Sequence, residues 1–251
     1  MYKIPANTLF IGKNLIFVPE CHSTNDLAME RSREPAIPEG TVIVTDNQTA
    51  GRGQRGNTWK ASPGMNLTFS VILKPSFLDL KDQFYLNIIT SLAVRDFLQT
   101  KTKAEIKVKW PNDVLVDSKK ICGILIENQL KGNRFTNTVA GIGLNINQRE
   151  FDLSTATSLT LVTGKTFALS DALEQLLSHL EARYLELHGN IKKLMNHYHE
   201  GLYWCNRTHQ FSSHGQTFDG IIRGVDDAGR LMIEVDGDVK LFAEKEIVYV
   251  R

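Results

Sequence analysis

The residues best equipped for chemistry in this 251-residue chain fall into two short segments. The first, Gly51-Arg-Gly-Gln-Arg-Gly56, sets two arginines among glycines. Glycines let backbone N–H groups approach an anion closely, and arginine forks grip phosphate or carboxylate in bidentate fashion. The hexapeptide matches the G-x-G-x-x-G dinucleotide fingerprint, but that fingerprint needs a helix directly after it. Here residues 57–66 follow, with Pro63 and Gly64, and lead into a strand. A phosphate-binding P-loop fails too, since Asn57 stands at the lysine position and the helix is again missing. Taken alone, the hexapeptide fits an anion-gripping loop and a flexible surface loop equally.

The second segment is Lys109-Trp-Pro-Asn-Asp113, followed by Lys119-Lys120-Ile-Cys-Gly123. Pro111 interrupts a strand and leaves Asn112 and Asp113 at a turn. Lys120 starts the returning strand, so a hairpin can bring its ammonium near Asp113. An acid and a lysine on strand ends suit anion handling combined with proton transfer. An ordinary turn with a protective edge lysine fits the same residues. Ser23-Thr-Asn25 ahead of Asp26 reads as a variant capping box. Gly141-Ile-Gly-Leu-Asn145 reads as a strand end with an amide. The histidines, His197 and His199 included, show no metal-ligand spacing.

These segments need a scaffold, and the apolar pattern supplies one. Strands are predicted at 15–18, 41–45, 66–73, 106–110, 114–116, 120–128 and 138–142, with Asp117-Ser118 as a hairpin turn. Helices are predicted from Ser23 to Ser32, over 80–99 (Leu80, Phe84, Ile88, Leu92, Phe97), 171–188 and 191–198. Residues 47–66 form a polar, glycine-rich stretch that is long for a compact domain, as lids are. After Trp204 short strands alternate with turn clusters around Phe211, 218–222, 231–235, 239–242 and 247–250, the pattern of a small β-barrel. The fold class is therefore α+β with a β appendage, and the boundary falls at 205/206.

Composition narrows the function. Hydrophobic residues make up 42%, enough for a sizeable core. Net charge is +1, and residues 206–251 carry six basic against eight acidic side chains, which disfavours nucleic acid as a partner. No apolar run approaches the ~18 residues of a membrane span. The N-terminus lacks a signal-peptide pattern. Three widely spaced cysteines fit a reducing cytoplasm and give no disulfide or zinc framework.

In their order along the chain, Ser23-Thr-Asn25, Gln48 to Gly56 with Trp59, Lys109 to Asp113, Lys120 to Glu127 and Gly141 to Asn145 resemble the biotin protein ligases. The resemblance runs from about Phe17 to Asn147 and extends to the small C-terminal β domain. It implies a class II aminoacyl-tRNA synthetase-like mixed sheet with helices over residues 1–205, and an SH3-like barrel over 206–251. It also implies two steps. Biotin's carboxylate attacks the α-phosphate of Mg-ATP to give biotinyl-5′-AMP, and a lysine of a biotin carboxyl carrier domain then takes the biotin.

By the same resemblance, Ser23, Thr24, Asn25 and Gln48 surround the biotin rings, with Gly51, Gly53, Gln54 and Gly123 close by. Lys120 and Arg52 meet the carboxylate and phosphate; because the acceptor lysine must be neutral to attack, Asp113 is the candidate to orient or deprotonate it. Arg55, Trp59, Lys109, Asn112 and Asn145 complete the ATP and adenylate site. No structural metal is implied beyond the magnesium that arrives with ATP, and a homodimer is compatible. Gln54 departs from the pattern, since some members carry arginine there, a position associated with holding the adenylate. Only some sixteen residues precede the catalytic segment, so no DNA-binding domain and no repressor function are expected. Residues 47–66 are expected to be mobile without ligand, with Arg52 and Arg55 lacking an anionic partner. A lipoate–protein ligase is the nearest alternative, and a non-catalytic biotin sensor or DNA-bound regulator is the alternative from another class.

Overall fold

The computed structural model describes residues 2–250, apart from the side chain of Arg55. Seven strands build the first sheet: β1 (Leu15–Cys21), β2 (Thr41–Gln48), β3 (Leu67–Leu73), β4 (Ile106–Lys109), β5 (Asp113–Val116), β6 (Lys119–Lys131) and β7 (Arg134–Leu144). They lie in the order β1-β2-β3-β7-β6-β5-β4. β1 runs parallel to β2 and the other pairs are antiparallel, so the sheet is mixed, as expected. The helices are α1 (Thr24–Arg31), α2 (Phe84–Gln99), α3 (Leu159–Thr163), α4 (Leu169–Leu187) and α5 (Ile191–Gly201).

The two faces of this sheet are covered differently, and the difference makes the site. Successive strand residues point to opposite faces. Phe69, Val71, Ile124 and Ile142 join the buried cluster of α2 and α4, with Leu92, Phe97, Leu173 and Leu177. On the other face Ile43, Ile72 and Val139 pack under Ala28 of α1. α1 is short and covers only part of that face. Beyond it the same face carries Ser70, Gly123, Gly141 and Gly143, whose side chains are small or absent. A strip of bare backbone is left there.

The second sheet contains β8 (Thr208–Ser213), β9 (Gln216–Val225), β10 (Leu231–Val235), β11 (Asp238–Phe242) and β12 (Val248–Tyr249). Where a barrel was expected, these strands pair in the order β11-β10-β9-β8-β12, and the two ends do not pair with each other among the described residues. One buried cluster runs through both sheets and includes Phe211, Ile222, Leu231 and Ile233 along with the helices of the first. Trp110, 2% exposed, donates its indole N–H to the Gly229 carbonyl at 2.9 Å and pins the second sheet to the β4–β5 turn. A buried donor without that acceptor would cost about 1–3 kcal/mol.

Three local expectations need correction. Residues 47–66 are not structureless: β2 runs to Gln48, Arg52 and Thr58 form an antiparallel bridge, and Gln54–Gly56 is a 3-10 turn. The glycines hid this because the bridge depends on backbone pairing rather than on an apolar pattern. Helix α2 starts at Phe84 and follows a separate 3-10 turn, Leu80–Asp82. Helix α3 is an addition. It is too short for a readable period, although Ser158 caps it through the Leu161 amide at 3.2 Å and Gly164 ends it at φ +72°.

His199 of α5 gives this junction a pH dependence. Its Nε2 lies 3.0 Å from the Val225 amide nitrogen, which donates to it, and Gly224 packs against the ring. Burial pushes the ring below the ordinary histidine value of 6.5, although its contact with the Val225 carbonyl opposes the shift. The folded protein therefore binds fewer protons than the unfolded chain just below pH 6.5. Stability from His199 is complete above that pH and is lost as pH falls toward the depressed folded value. The melting temperature should drop by a few degrees between pH 7.5 and 5.5, and His199→Gln should flatten that slope. Identical slopes in the two proteins would remove His199 from the account.

Candidate functional site

The bare strip of the first sheet is the floor of a cavity of about 300 Å³. Gly143 pairs with Gly123 on β6 and Thr68 on β3, and Gly141 pairs with Ser70 and Leu125. The glycines are required by close approach. A Cβ on Gly141 would overlap Asn25 Oδ1, and one on Gly143 would sit 2.6 Å from Trp59 Nε1. The Trp59 indole thus lies flat against backbone, with the Lys120 ammonium 5.8 Å from its ring centre.

One wall comes from the start of α1, whose first residues are buried: Ser23 at 3% exposure, Thr24 at 3% and Asn25 at 4%. Ser23 caps the helix by accepting from the Asp26 amide at 3.4 Å, as its sequence pattern implied. Thr24 donates its backbone N–H to Gln48 Oε1 at 2.8 Å. Ser70 Oγ stands 2.8 Å from Thr24 Oγ1 and 2.6 Å from Asn25 Oδ1. The Asn25 amide donates to Glu127 Oε2 at 2.9 Å. Glu127 in turn accepts from Arg52 Nη2 at 2.5 Å, and Asp26 Oδ1 lies 2.8 Å from the same nitrogen. Arg52 therefore has anionic partners supplied by the protein, contrary to expectation. The hydrogen bond to Glu127 leads in raising the Arg52 guanidinium above its ordinary value, so it stays charged.

The opposite end holds the acid and the lysine. β5 and β6 pair with a register shift after Val114, and Lys120 Nζ comes 2.7 Å from Asp113 Oδ1. The hairpin turn between these strands has Asp117 and Ser118 at φ +46° and +64°, the left-handed pair that a tight hairpin requires. Asn112 is held by the Ile124 carbonyl at 2.8 Å, and Lys109 stands 4.7 Å over the Tyr249 ring. The adjacent Cys122 is buried, and desolvation pushes its thiol up, so it is no nucleophile.

The cavity thus gathers Ser23, Thr24, Asn25, Gln48, Arg52, Gly53, Gln54, Trp59, Lys109, Asn112, Asp113, Lys120 and Gly123. Two expected residues are not on its wall. Gly51 is buried behind it, and its carbonyl accepts from the Trp59 amide at 2.9 Å. Asn145 is 4% exposed and gives its side-chain N–H to the Thr157 carbonyl at 3.0 Å, while its Oδ1 is buried and finds no hydrogen-bond partner among the described residues. The expected role of Arg55 falls on a side chain outside the described residues. Sequence reasoning missed Ser70 and the role of Glu127, and it also missed Glu244, Ile247, Val248 and Tyr249, which line the cavity from the second sheet. The period-two pattern of β6 puts Glu127 on the face of Gly123, so that signal was available. The contribution of the second sheet had none.

A mixed sheet backing a cavity in which a lysine–aspartate pair and an arginine meet a glycine-rich hairpin is the layout of a carboxylate-activating ligase. Known proteins agree in fold and sequence. A structure of biotin protein ligase from Aquifex aeolicus in complex with biotin and ATP superposes with a TM-score of 0.79 at 28% identity, over 95% of this chain and 99% of that one. The bifunctional ligase/repressor BirA of Bacillus spizizenii is 32% identical over 249 residues, 96% of this chain and 75% of that protein. The biotin–[acetyl-CoA-carboxylase] ligase of Mycobacterium tuberculosis is 31% identical over 244 residues, 95% of this chain and 90% of that protein. Residues 18–145 match the model of the biotin/lipoate A/B protein ligase family, and the chain belongs to that family.

Proposed function

We propose that this protein activates biotin with Mg-ATP as biotinyl-5′-AMP and transfers it to a lysine of a biotin carboxyl carrier domain. The observation that carries the reading is the Lys120–Asp113 pair at 2.7 Å, which lines the same cavity as Arg52. Bringing a carboxylate to a triphosphate sets anion against anion. Lys120, Arg52 and the hairpin N–H groups offset that repulsion where negative charge develops. Among the described residues Arg52 engages both of its carboxylates through Nη2, so the rest of its fork can meet the incoming acid. In the second step the acceptor lysine must lose a proton, and Asp113, beside Lys120, is the candidate to take or orient it.

The choice of acid follows from the α1 wall. Biotin's ureido ring carries N–H donors and a carbonyl, which the chain Gln48–Thr24–Ser70–Asn25 can satisfy. A dithiolane ring has neither and would gain no hydrogen bond from those polar groups. Residues 1–205 are assigned the catalytic work and 206–251 an assisting role, supported by Glu244 and Tyr249 on the cavity wall. The free thiols of Cys21, Cys122 and Cys205 support a cytoplasmic setting. Of the two activities in the Bacillus relative's name, only the ligase is proposed here.

The deciding experiment is ATP–pyrophosphate exchange with biotin and with lipoate, followed by labelling of a carrier domain. Exchange should depend on biotin, and label should reach the carrier lysine. Exchange driven by lipoate in preference to biotin, or by neither acid, would overturn the reading.

A further inference from the structure

Gln54 opens the 3-10 turn at the tip of the short hairpin closed by Arg52 and Thr58. Its Nε2 donates to Glu244 Oε2 at 2.8 Å, a partly buried contact spanning 190 positions of sequence. Both side chains line the main cavity and also an adjoining depression between the two sheets, so they stand on the partition between them. The carboxylate is presented by a fixed support. Glu244 sits in the turn before β12, where the Glu246 side chain accepts from the Ala243 amide at 2.8 Å and Ile247 is buried in the core.

The hairpin is held differently. Its backbone closes on itself through Gly53 N–H to Asn57 O at 2.7 Å and Trp59 N–H to Gly51 O at 2.9 Å. Its glycines bring no side chains to pack, and a Cβ on Gly56 would meet nothing within 4 Å. Side chains therefore tether it to the body, with Arg52 reaching Asp26 and Glu127 on one flank and Gln54 reaching Glu244 on the other.

We propose that Glu244 is a positioning residue: its carboxylate holds Gln54, and through it the 52–58 hairpin, over the cavity, and so sets how long a bound acyl-adenylate is kept from solvent. The tether stands on geometry alone, and the retention clause rests on the ligase reading above. An acyl-adenylate is a mixed anhydride that water hydrolyses, so a roof that opens early loses it before transfer. Gln54 offers Glu244 one charge-assisted hydrogen bond, a moderate tether that lets the hairpin open for ligand exchange.

Two readouts on the full-length protein test this: amide hydrogen exchange across residues 52–59 without ligand, and escape of labelled biotinyl-AMP formed in place. Glu244→Ala should speed both by about tenfold, the scale of one lost charge-assisted hydrogen bond. Glu244→Gln keeps an acceptor and should stay near the parent protein. Gln54→Glu sets carboxylate against carboxylate and should resemble Glu244→Ala. The double variant Gln54→Glu/Glu244→Gln reverses donor and acceptor and should restore slow exchange and slow escape, a rescue that a merely structural glutamate would not show. Unchanged amide exchange in Glu244→Ala, or no rescue in the reversed pair, would overturn the tether. Faster amide exchange with unchanged escape would overturn its role in retention. A parent protein that makes no adenylate would instead refute the ligase reading, while the amide readout would still report on the tether.

Discussion

Lys120→Ala should lower biotin-dependent pyrophosphate exchange by about 10²–10³-fold, the usual cost of removing one group that stabilises developing charge. The effect has two parts. The ammonium proposed to meet the reacting carboxylate and phosphate is removed, and Asp113, now without its partner at 2.7 Å, would face two anionic substrates as a bare carboxylate. Lys109 cannot substitute from its place over the Tyr249 ring. Initial rates of exchange at saturating ATP, with biotin titrated separately, check this. A variant that makes biotinyl-AMP at close to the parental rate would remove Lys120 from the chemistry.

Asp113→Asn should separate the two half-reactions. Asparagine keeps the size of the side chain and can still accept from Lys120, but it cannot take a proton. Adenylation should fall modestly, whereas transfer from preformed biotinyl-AMP to a carrier lysine should fall by about 10²–10⁴-fold, the range for loss of a general base. The acceptor amine has an unperturbed pKa of about 10.4, so the defect should shrink as pH rises and free amine accumulates. Single-turnover transfer at several pH values measures it. Equal losses in both halves would make Asp113 a structural or magnesium-holding group instead.

Much of this site could be read along the chain because its chemistry is local. The Lys120–Asp113 pair lies within one hairpin, and the turn residues Asp117 and Ser118 announce that hairpin by tolerating left-handed backbone. Ser23 as a cap is local for the same reason. What escaped notice depends on register between distant strands. Ser70 meets Asn25 only because β3 lies beside β7 and beneath α1, and no pattern within either segment encodes that neighbour. Asn145 likewise depends on a distant neighbour. Its side-chain N–H is taken by the Thr157 carbonyl, which arrives from the segment leading into α3, and its Oδ1 is left without a partner among the described residues. Trp110 looked like part of a catalytic motif, yet its indole fastens the second sheet.

The bare floor under Trp59 and Asn25 also limits how the pocket can change. Because any side chain at 141 or 143 would collide with Asn25 or Trp59, those positions are shut to substitution on steric grounds, whatever the ligand. Selection for bulkier biotin analogues would therefore have to work around the rim: the first turn of α1, the 52–58 hairpin and the segment from Glu244 to Tyr249. Those three come from parts of the chain far apart in sequence. Libraries that randomise a single contiguous stretch would sample only one side of the opening, while paired changes at positions such as 24 and 248 would reshape it from both.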